Sequence, residues 1–392
     1  MNDGRYIFSQ VMDFLPRYVF DKSVAKYNGN KHAKSLSCYN QLLHLLFGQI
    51  TGCSSIRDIC VCLDAHKKQL HHLGFGNTVN PSNLSRANEN RDYRIYEELG
   101  MYLIKLVRPL YAKTPIENIT IDNVCYALDS TTISTSIKLA RWALGKYSRG
   151  AVKMHTLLDL RGSIPANIHI TDGKWHDSNE LDELTPEESA YYMADKAYVD
   201  FEALYRFHKD GAFWVCRPKD NMRFEIISYR SDIDIPSGIT GDMVIKLTTA
   251  KSKRLYPEPI RLIYLYDSEK QEEVKFITNS MDISAMEVAK LYRHRWDIEV
   301  FFKWIKQNIV VKTLWGYSEN AVRTHLWIAI IAYLIIARIK VDMKTPYSIT
   351  EVATLIRVSA LEKIPLKDLL TKPKPKISSN QIVKERSLFD DI

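Results

Sequence analysis

The sequence predicts a mixed α/β core, preceded by a helical region and followed by further helices. Short β-branched and aromatic runs alternate with amphipathic segments from about residue 120 to 216, which is typical of a sheet with helices on its faces. A second set of β-like segments follows, whereas the regions before residue 95 and after residue 284 show helical spacing. These changes predict five parts: a helical domain 1–95, the first part of the core 96–218, a β-rich insertion 219–283, the rest of the core 284–345, and a C-terminal helical segment with a mobile tail 346–392.

The charge balance permits a polyanionic partner without requiring one. Lysine and arginine number 54 against 46 aspartates and glutamates, which gives a net charge of +8 over 392 residues. A chain of this length fits two or three domains with a substantial core. Because many proteins with a modest basic excess bind no nucleic acid, charge alone assigns no function.

The apolar and cysteine patterns favour a cytoplasmic protein without a membrane partner. The most hydrophobic run, Leu326–Ala337, is shorter than the ~20 residues that a membrane-spanning helix needs, so we expect a buried core helix. The first residues contain no basic stretch leading into an apolar segment, so no secretory signal is expected. The six cysteines include no CxxC pair, and Cys60 and Cys62 with nearby histidines match no standard zinc spacing, which favours reduced thiols.

The first 95 residues contain helical segments separated by turn residues. Apolar residues recur at helical spacing over 42–50 before a turn at Gly52, and Ser54 or Ser55 can cap the next helix. The run Asn80–Arg91 places a proline at a helix start and carries Asn, Ser and Arg side chains. This helix either presents polar side chains to DNA or is a capped, solvated surface helix, and the sequence leaves both interpretations open.

Five strands and two helices are predicted in the first part of the core. The strands are 123–128, 151–160, 164–170, 191–194 and 212–216, and the helices lie near 178–184 and 201–207. Asp129 and Asp195 are expected at or just beyond the ends of the first and fourth strands. Because side chains at strand ends can converge on a ligand, both aspartates are candidate site residues.

The segment 219–283 has its own apolar alternation, which predicts a β-rich insertion rather than a linker. Its β-like segments are 224–229, 243–248, 260–267 and 274–278. One long helix is predicted over 285–307, followed by helices 320–341 and near 349–361. The tail from Thr371 alternates lysine with proline and is expected to be mobile.

Four polar side chains of the predicted helix 285–307 share one face. They are Tyr292, Arg295, Glu299 and Lys306. At about 100° per residue they fall within an arc of roughly 60°. An adjacent apolar stripe would dock the helix on the sheet, and it consists of Leu291, Ile298, Phe302 and Ile305. The polar face fits a metal ion beside phosphates; the alternative is a surface stripe joined by an Arg295–Glu299 ion pair.

The two aspartates extend this face into a candidate metal site. Two Asp and one Glu from separate elements supply the oxygen ligands that Mg²⁺ prefers, and they leave coordination places for water and phosphate oxygens. Two such ions about 3.5–4 Å apart can activate a nucleophile and stabilise the leaving oxygen in phosphoryl transfer. Since three carboxylates without a cation would repel one another, their convergence points to metal binding.

The spacing Tyr-two-Arg-three-Glu-six-Lys resembles the signature of the insertion-sequence-four family of bacterial DDE transposases, to which the Tn5 transposase also belongs. Every signature position is filled, by Tyr292, Arg295, Glu299 and Lys306. Asp129, in Leu-Asp-Ser-Thr, resembles the first catalytic aspartate of the family, and Asp195, in Ala-Asp-Lys-Ala-Tyr, resembles the second. The segments 153–155, 176–178 and 318–322 are also similar to the family, so the resemblance covers roughly residues 120–340.

The resemblance implies an RNase H-like catalytic core with a β-rich insertion between its last strand and the glutamate helix. The two aspartates and Glu299 would be the catalytic residues and would hold two Mg²⁺ ions, for which Mn²⁺ can substitute. The other signature residues, Tyr292, Arg295 and Lys306, would grip phosphates near the cleaved end. An arginine fork matches phosphate oxygens, whereas a lysine acts as a point charge.

The same resemblance implies cut-and-paste transposition of an insertion sequence. The family cuts both strands at the ends of the element, typically through a hairpin on the transposon end, and joins the freed 3′ hydroxyls to target DNA. The expected partners are double-stranded DNA, as terminal inverted repeats and as target, and a second copy of the chain in a homodimer. Residues 1–95 are expected to bind the DNA end, in the bacterial cytoplasm and at the nucleoid when the protein acts.

Further residues near the predicted site have two interpretations each. Arg217, Lys219 and Arg223 lead into the insertion and are expected to contact DNA, with a solvated charge run as the alternative. His176 and Asp177 either orient a group behind the site or form a surface loop pair. A base flipped onto an aromatic residue occurs in this family, but three nearby tryptophans are expected in the core: Trp296, Trp304 and Trp315.

Two other functions and one structural role are alternatives. A metal-dependent nuclease of the same fold would cleave DNA without joining it, and the three carboxylates do not distinguish these reactions. A non-catalytic DNA-binding protein derived from a transposase is the second alternative, against which the intact carboxylates argue. A helical protein with a surface charge stripe would leave Asp129 and Asp195 unexplained.

Overall fold

Nine strands form one mixed sheet in the described part of the protein. The computed structural model describes residues 4–31, 33–135, 142, 150–230, 238–268, 271–308 and 314–371. The strands are β1 (Cys125–Thr135), β2 (Gly150–Asp159), β3 (Ile164–Asp172), β4 (Tyr191–Ala194), β5 (Phe213–Cys216), β6 (Phe224–Tyr229), β7 (Ile239–Leu247), β8 (Ile260–Asp267) and β9 (Glu272–Thr278). Their order across the sheet is β3-β2-β1-β4-β5-β9-β8-β7-β6.

Helices precede the sheet, cover its faces and follow it, which confirms the predicted α/β class. In chain order they are α1 (Ile7–Met12), α2 (Arg17–Lys26), α3 (Cys38–Thr51), α4 (Ile56–Ala65), α5 (Leu70–Leu73), α6 (Pro81–Asn90), α7 (Arg94–Val107), α8 (Glu180–Glu183), α9 (Phe201–Lys209), α10 (Ala250–Leu255), α11 (Ala285–Arg293), α12 (Asp297–Asn308), α13 (Glu319–Asp342), α14 (Ile349–Ser359) and α15 (Leu366–Thr371). The tail that was expected to be mobile lies outside the described residues from 372 onward.

The first five strands have the arrangement of an RNase H-like core. β2 is antiparallel to both β1 and β3, whereas β1, β4 and β5 run parallel to one another. Parallel neighbours require crossover connections, and α9 provides the one between β4 and β5. β1 and β4 therefore run in the same direction, and β4 ends level with Leu128 of β1.

The strands of the predicted insertion extend this same sheet. β9 pairs antiparallel with β5 through Val215–Thr278 and Cys216–Ile277. β8, β7 and β6 follow outward by antiparallel pairing. A buried ion pair joins β8 to β7, with Arg261 Nη2 lying 2.6 Å from Asp242 Oδ2. The segment is β-rich and continuous with the core sheet, while the division of the chain into five parts remains a prediction.

Local capping sets the ends of the N-terminal helices. The hydroxyl of Ser55 accepts a hydrogen bond from the backbone N–H of Asp58 and caps α4. Gly52 ends α3 with a φ of 78°, a left-handed conformation that glycine adopts without steric cost. Asn80 caps α6, which begins with Pro81 as predicted. The turn at Gly52 and the cap at Ser55 are therefore confirmed.

The helix for which DNA contact was considered, α6, has one buried and one exposed face. Leu84 and Asn88 are buried against the neighbouring helices. Ser82, Asn83 and Arg86 are exposed on the other side. The exposed face is thus polar and accessible, as both interpretations of this segment require.

The long apolar helix α13 lies at the centre of the protein. It packs against α3, α6 and α7, which joins the N-terminal helices to the core. Its length and composition would allow it to cross a membrane, but 83% of its most apolar 18-residue stretch is buried inside the protein. The prediction of a buried helix at Leu326–Ala337 is confirmed, and the helix extends beyond this run at both ends.

The prediction of one continuous helix over 285–307 is wrong. α11 ends at Arg293, a 3₁₀ turn covers His294–Trp296, and α12 begins at Asp297. His294 Nε2 lies 2.8 Å from the carbonyl oxygen of Glu117, and His294 Nδ1 lies 3.0 Å from Asp297 Oδ2. These contacts hold the turn in place, and one of them is made with a residue distant in sequence, so helical periodicity did not reveal the break.

Candidate active site

Strand alternation places both aspartates on the face of the sheet that α12 covers. The buried apolar residues form two clusters, and the larger one, which also contains most of α13, includes Cys125 and Ala127 of β1 and Met193 of β4. Side chains two residues apart in a strand point to the same face. Asp129 and Asp195 therefore project toward the side on which this cluster lies.

The register of β1 and β4 sets the two aspartates side by side. The parallel pairing of these strands ends at Leu128 and Ala194. Asp129 directly follows Leu128, and Asp195 directly follows Ala194. The two aspartates therefore lie at the same level along the two strands. Asp195 then opens a 3₁₀ turn, and its side chain accepts a hydrogen bond from the backbone N–H of Lys196 at 2.6 Å.

The expectation that Asp129 lies at or just beyond the end of the first strand is wrong. β1 continues to Thr135 because β2 pairs with it along this whole stretch, as far as the Thr135–Gly150 pair. On its other side, β1 pairs with β4 only as far as Leu128. Asp129 thus lies within a strand but beside an open edge, where a ligand can approach it.

Packing of α12 on the core brings Glu299 toward β1. Ile298, Phe302 and Ile305 of the predicted apolar stripe are buried in the larger hydrophobic cluster. α12 also contacts β1 directly. Glu299 lies in the first turn of α12 and is partly exposed, on the border between the buried side and solvent.

Arg295 connects the helical side of the site to the strand. Its Nη1 donates a hydrogen bond to Asp129 Oδ2 at 2.9 Å, and its Nη2 donates one to Glu299 Oε1 at 3.0 Å. The Arg295 side chain is only 11% exposed. The Arg295–Glu299 pair that was considered as a surface stripe is therefore present, but it lies inside the site and involves Asp129 as well.

The carboxylates of the site are close enough to repel one another. Burial raises the pKa of Asp129 to about 6; the charges of Glu299 and Asp195 act in the same direction, whereas the Ser130 amide and Arg295 act against it. Such an environment favours a cation. In the described ranges, no three His, Cys, Asp or Glu side chains are gathered as a ready set of metal ligands, and the single positive charge of Arg295 lies between Asp129 and Glu299 and offsets part of their negative charge.

The other two signature residues flank this centre. The Tyr292 ring packs against Phe276 with 5.0 Å between centroids, and the Arg295 guanidinium lies 5.9 Å from its centroid. Burial raises the pKa of Tyr292, so its phenol stays protonated. Lys306 is exposed in the last turn of α12, and partial burial lowers its pKa.

A basic cleft of about 390 Å³ adjoins the turn that follows Asp195. Its lining includes four cations, Lys196, Arg217, Lys219 and Lys275, and two carboxylates, Asp220 and Glu273, together with apolar and aromatic side chains of the extended sheet. Two of the cations are paired, Lys196 with Asp220 at 3.4 Å and Lys275 with Glu273 at 3.8 Å. The Lys219 ammonium donates a hydrogen bond to the carbonyl oxygen of Val199 at 2.7 Å. Two of the three basic residues that were expected to contact DNA thus line one cleft, and Arg223 is exposed just before β6.

The expectation that Trp296 lies in the core is wrong. Its side chain is 55% exposed, and the Arg295 guanidinium lies 5.6 Å from its ring centroid. Trp304 and Trp315 are buried as expected. A helical projection contained the signal, since at about 100° per residue Trp296 points away from Ile298 and the rest of the apolar stripe.

Asp177, one of the residues with two interpretations, points inward and lies behind Asp129. Its Oδ1 accepts hydrogen bonds from Ser130 Oγ at 2.6 Å and from Lys153 Nζ at 3.1 Å. His176, by contrast, is exposed. The neighbouring pair in sequence is therefore divided between an interior contact and the surface, and Lys153, to which no role was assigned, belongs to the interior contact.

Comparison with known families places the site inside a transposase domain. A family model described as Transposase DDE domain matches residues 122–335, which include Asp129, Asp195 and Glu299. A second model, described as Domain of unknown function (DUF4372), matches residues 3–76. The first match covers more than half of the chain.

Three curated relatives are all named as transposases. The relative named for insertion sequence element IS5377 of Geobacillus stearothermophilus is 31% identical over 210 residues, which are 53% of this chain and 55% of that protein. The relative y4zB of Sinorhizobium fredii is 30% identical over 213 residues, which are 53% of this chain and 59% of that protein. The relative named for element IS4SA of Synechocystis is 27% identical over 300 residues, which are 74% of this chain and 80% of that protein. The chain thus spans less than two thirds of the length of two of these relatives.

A solved structure of a piggyBac transposase synaptic complex with hairpin DNA aligns with 96% of this chain and 88% of that chain, at a TM-score of 0.46 and 11% identity. The narrower assignment to the insertion-sequence-four family remains a prediction. On the family match and the names of the relatives, the chain belongs to the Transposase DDE domain family, with relatives among bacterial insertion-sequence transposases.

Proposed function

We propose that this protein is a DDE transposase that excises an insertion sequence and joins it to target DNA. The observation that carries the proposal is the convergence of three elements on one site. Asp129 and Asp195 leave the last β1–β4 pair level with each other, and Glu299 is linked to Asp129 through Arg295. Cleavage of both strands through a hairpin on the transposon end is part of the proposal.

The donor chemistry of the three carboxylates suits the divalent ions on which DDE transposase domains generally depend, and Arg295 would have to release Asp129 and Glu299 before they could act together as ligands. Asp129, Asp195 and Glu299 would hold two Mg²⁺ ions, or Mn²⁺ in their place. All three supply hard oxygen ligands, and a bound cation would relieve the repulsion that raises the pKa of Asp129. When bound, two such ions activate a nucleophile and stabilise the leaving oxygen in phosphoryl transfer.

The cations of the site would hold the DNA backbone. Arg295 already presents a planar fork to two carboxylate oxygens, and the same fork matches two phosphate oxygens. Lys306 would add a point charge farther along α12, and the Tyr292 hydroxyl would donate a hydrogen bond to a phosphate. Arg217 and Lys219 in the basic cleft, with Arg223 nearby, would bind the strand as it leaves the carboxylates.

Recognition of the element would lie outside the carboxylate site. The helical region 1–95 would bind the terminal inverted repeat, with the polar face of α6 directed to DNA. Two copies of the chain would hold the two ends, because excision requires both ends together. The protein would act at the nucleoid in the bacterial cytoplasm.

The test is a cleavage assay with Mg²⁺ on labelled DNA that carries the inverted repeats flanking the coding sequence. Wild-type protein is compared with Glu299→Gln and with Glu202→Gln, a matched change at an exposed position of α9. We expect cleavage at the repeat boundary by wild type and Glu202→Gln. Glu299→Gln should lose at least about a thousandfold of the rate, since metal ions contribute several kcal/mol to such reactions.

Binding and joining are measured on the same samples. Glu299→Gln should still shift repeat DNA in a gel, because the end-binding region is unchanged. Full cleavage by Glu299→Gln would contradict the proposed site. Cleavage without joining by wild type would indicate a nuclease, and repeat-specific binding without cleavage would indicate a non-catalytic DNA-binding protein.

A further inference from the structure

In the part of the chain that the structure describes, no strand pairs with β1 on its β4 side beyond Leu128, and a side-chain contact holds β1 there instead. Pairing with β4 ends at Leu128, so Ser130 is held by strand pairing only to β2. The Ser130 hydroxyl donates a hydrogen bond of 2.6 Å to Asp177 Oδ1. Asp177 begins the 3₁₀ turn after β3 and therefore ties this turn to β1.

The residue that bonds to Asp177, Ser130, also bonds to the Asp129 carboxylate. The backbone N–H of Ser130 donates a hydrogen bond of 2.7 Å to Asp129 Oδ1, while Asp129 Oδ2 accepts one from Arg295 at 2.9 Å. Alternation along β1 points Ser130 to the opposite face of the sheet from Asp129. The Asp129 carboxylate is thus bonded to Arg295 and to the backbone of Ser130. The Ser130 side chain is in turn held by Asp177 on the opposite face of the sheet.

A lysine fixes Asp177 in turn. Lys153 Nζ donates hydrogen bonds to Asp177 Oδ1 and to the carbonyl oxygen of Trp175, both at 3.1 Å. The Lys153 and Asp177 side chains are 13% and 27% exposed, so the pair is shielded from solvent. His155 Nδ1 lies 3.7 Å from Asp177 Oδ1. Burial lowers the pKa of His155 to about 4, which leaves Lys153 as the cation of this contact at neutral pH.

The charge state of Asp177 matches this role. Burial by itself would raise the pKa of Asp177, but the hydrogen bonds from Ser130 and Lys153 outweigh it and hold the pKa below its ordinary value. An ionised carboxylate is a strong acceptor for the Ser130 hydroxyl. The buried ring of Tyr198, three residues after Asp195, lies near Asp177 and Asp129, whose charges add to burial in raising its pKa.

We propose that Asp177 is a positioning residue, which acts through Ser130 to hold the Asp129 carboxylate in the orientation that binds a divalent ion. The assignment rests on the proposed function for what Asp129 does, but the orientation of Asp129 can be measured without any reaction. Groups behind a metal ligand commonly alter metal affinity by about 10–100-fold when they are replaced.

The test compares four variants of the full chain: Asp177→Asn, Ser130→Ala, Ser130→Thr and Asp182→Asn. Ser130→Thr keeps a hydroxyl donor and serves as the rescue. Asp182→Asn is the control, because the Asp182 side chain is 71% exposed. Thermal unfolding checks that each variant is folded, and the dissociation constant for Mn²⁺ is measured without DNA from the electron paramagnetic resonance signal of the free ion.

We expect Asp177→Asn and Ser130→Ala to weaken Mn²⁺ binding by about tenfold or more. Asp177→Asn also removes the anionic partner of Lys153 and should lower Tm, so affinities are compared at a temperature at which each variant is fully folded. Ser130→Thr and Asp182→Asn should bind as wild type does. Wild-type affinity in both Asp177→Asn and Ser130→Ala would overturn the proposal, while leaving the assignment of Glu299 to the active site untouched.

A crystal structure of Asp177→Asn separates this proposal from the proposed function. If wild type bound no Mn²⁺, the result would contradict the proposed metal site. The position of the Asp129 carboxylate in the crystal structure would then be the test of the positioning role. A carboxylate turned away from its wild-type position supports the positioning role. An unmoved carboxylate with the same hydrogen bond from Ser130 overturns it.

Discussion

The site consists of a sheet half and a helix half, which are held in different ways. Asp129 and Asp195 form the sheet half, and backbone pairing up to Leu128 and Ala194 sets their positions. Glu299 and Arg295 form the helix half, which follows a break between α11 and α12. The helix half rests on the sheet through buried side chains, and Arg295 bonds to both Asp129 and Glu299.

The positions of the two aspartates are therefore more strictly fixed than the position of Glu299. Backbone hydrogen bonds along β1 and β4 leave little freedom in the spacing of the two aspartates. Glu299 depends on how α12 packs and on its bond to the Arg295 guanidinium, so its distance from the aspartates can change more readily than the distance between the aspartates. Substitutions in the helix half should therefore have graded effects on stability and on DNA binding.

The largest effect on stability is expected for Ile298→Ala, which removes a fully buried part of the apolar stripe of α12. Loss of a buried isoleucine side chain costs about 2–5 kcal/mol. Val300→Ala is the matched control two residues along, because Val300 is 55% exposed, and it should change stability by less than about 0.5 kcal/mol. Urea unfolding followed by circular dichroism measures both, and equal losses would show that the stripe does not hold the helix half.

A smaller effect, on DNA binding, should distinguish Arg295 from Lys306. Arg295→Ala removes a fork that can make two charge-assisted hydrogen bonds to a phosphate, worth about 1.5–3 kcal/mol for each bond to a charged group. We expect Arg295→Ala to weaken binding of a pre-cleaved end by at least about tenfold. Lys306→Ala should cost less, since Lys306 is an exposed point charge. Fluorescence anisotropy titrations at one salt concentration measure both, and equal losses would contradict the ranking.

Local patterns predicted the parts of the site that depend on local structure. Helical spacing identified the buried stripe around Ile298, and the strand over 191–194 ends before Asp195 as expected. The same helical projection would have placed Trp296 outside the core. These features require only the chain directions of single helices and strands.

Contacts distant in sequence determined the parts that were missed. The break at His294 depends on the carbonyl oxygen of Glu117, which lies 177 residues away. β1 continues past Asp129 because β2 pairs with it. The link from Ser130 to Asp177 likewise joins two elements whose proximity only the sheet topology establishes. No pattern within a window of about twenty residues contains such contacts, because tertiary structure overrides local preference.

The smallest expected effect concerns the sheet half and its charge. Folding raises the pKa of Asp129 from its ordinary 3.8 to about 6, chiefly through burial, with Glu299 and Asp195 adding and Arg295 opposing. A carboxyl group with a raised pKa favours the folded state in its protonated form, so its contribution is lost as the pH rises through 6. Asp129→Asn cannot ionise and should therefore unfold a few degrees above wild type at pH 8 in EDTA, with a smaller difference at pH 5.

Thermal unfolding of wild type, Asp129→Asn and the exposed control Asp182→Asn at both pH values tests this expectation. Asp182→Asn should show no gain that grows with pH, since its side chain is 71% exposed. The same difference between wild type and Asp129→Asn at pH 5 and pH 8 would show that Arg295 fully compensates the ionised carboxylate. The helix half would then neutralise the sheet half without a metal ion. A gain that is larger at pH 8 than at pH 5 would instead show that the backbone holds Asp129 where its negative charge is unfavourable. The sheet half would then be stable in spite of the repulsion between its carboxylates, which a bound cation can relieve.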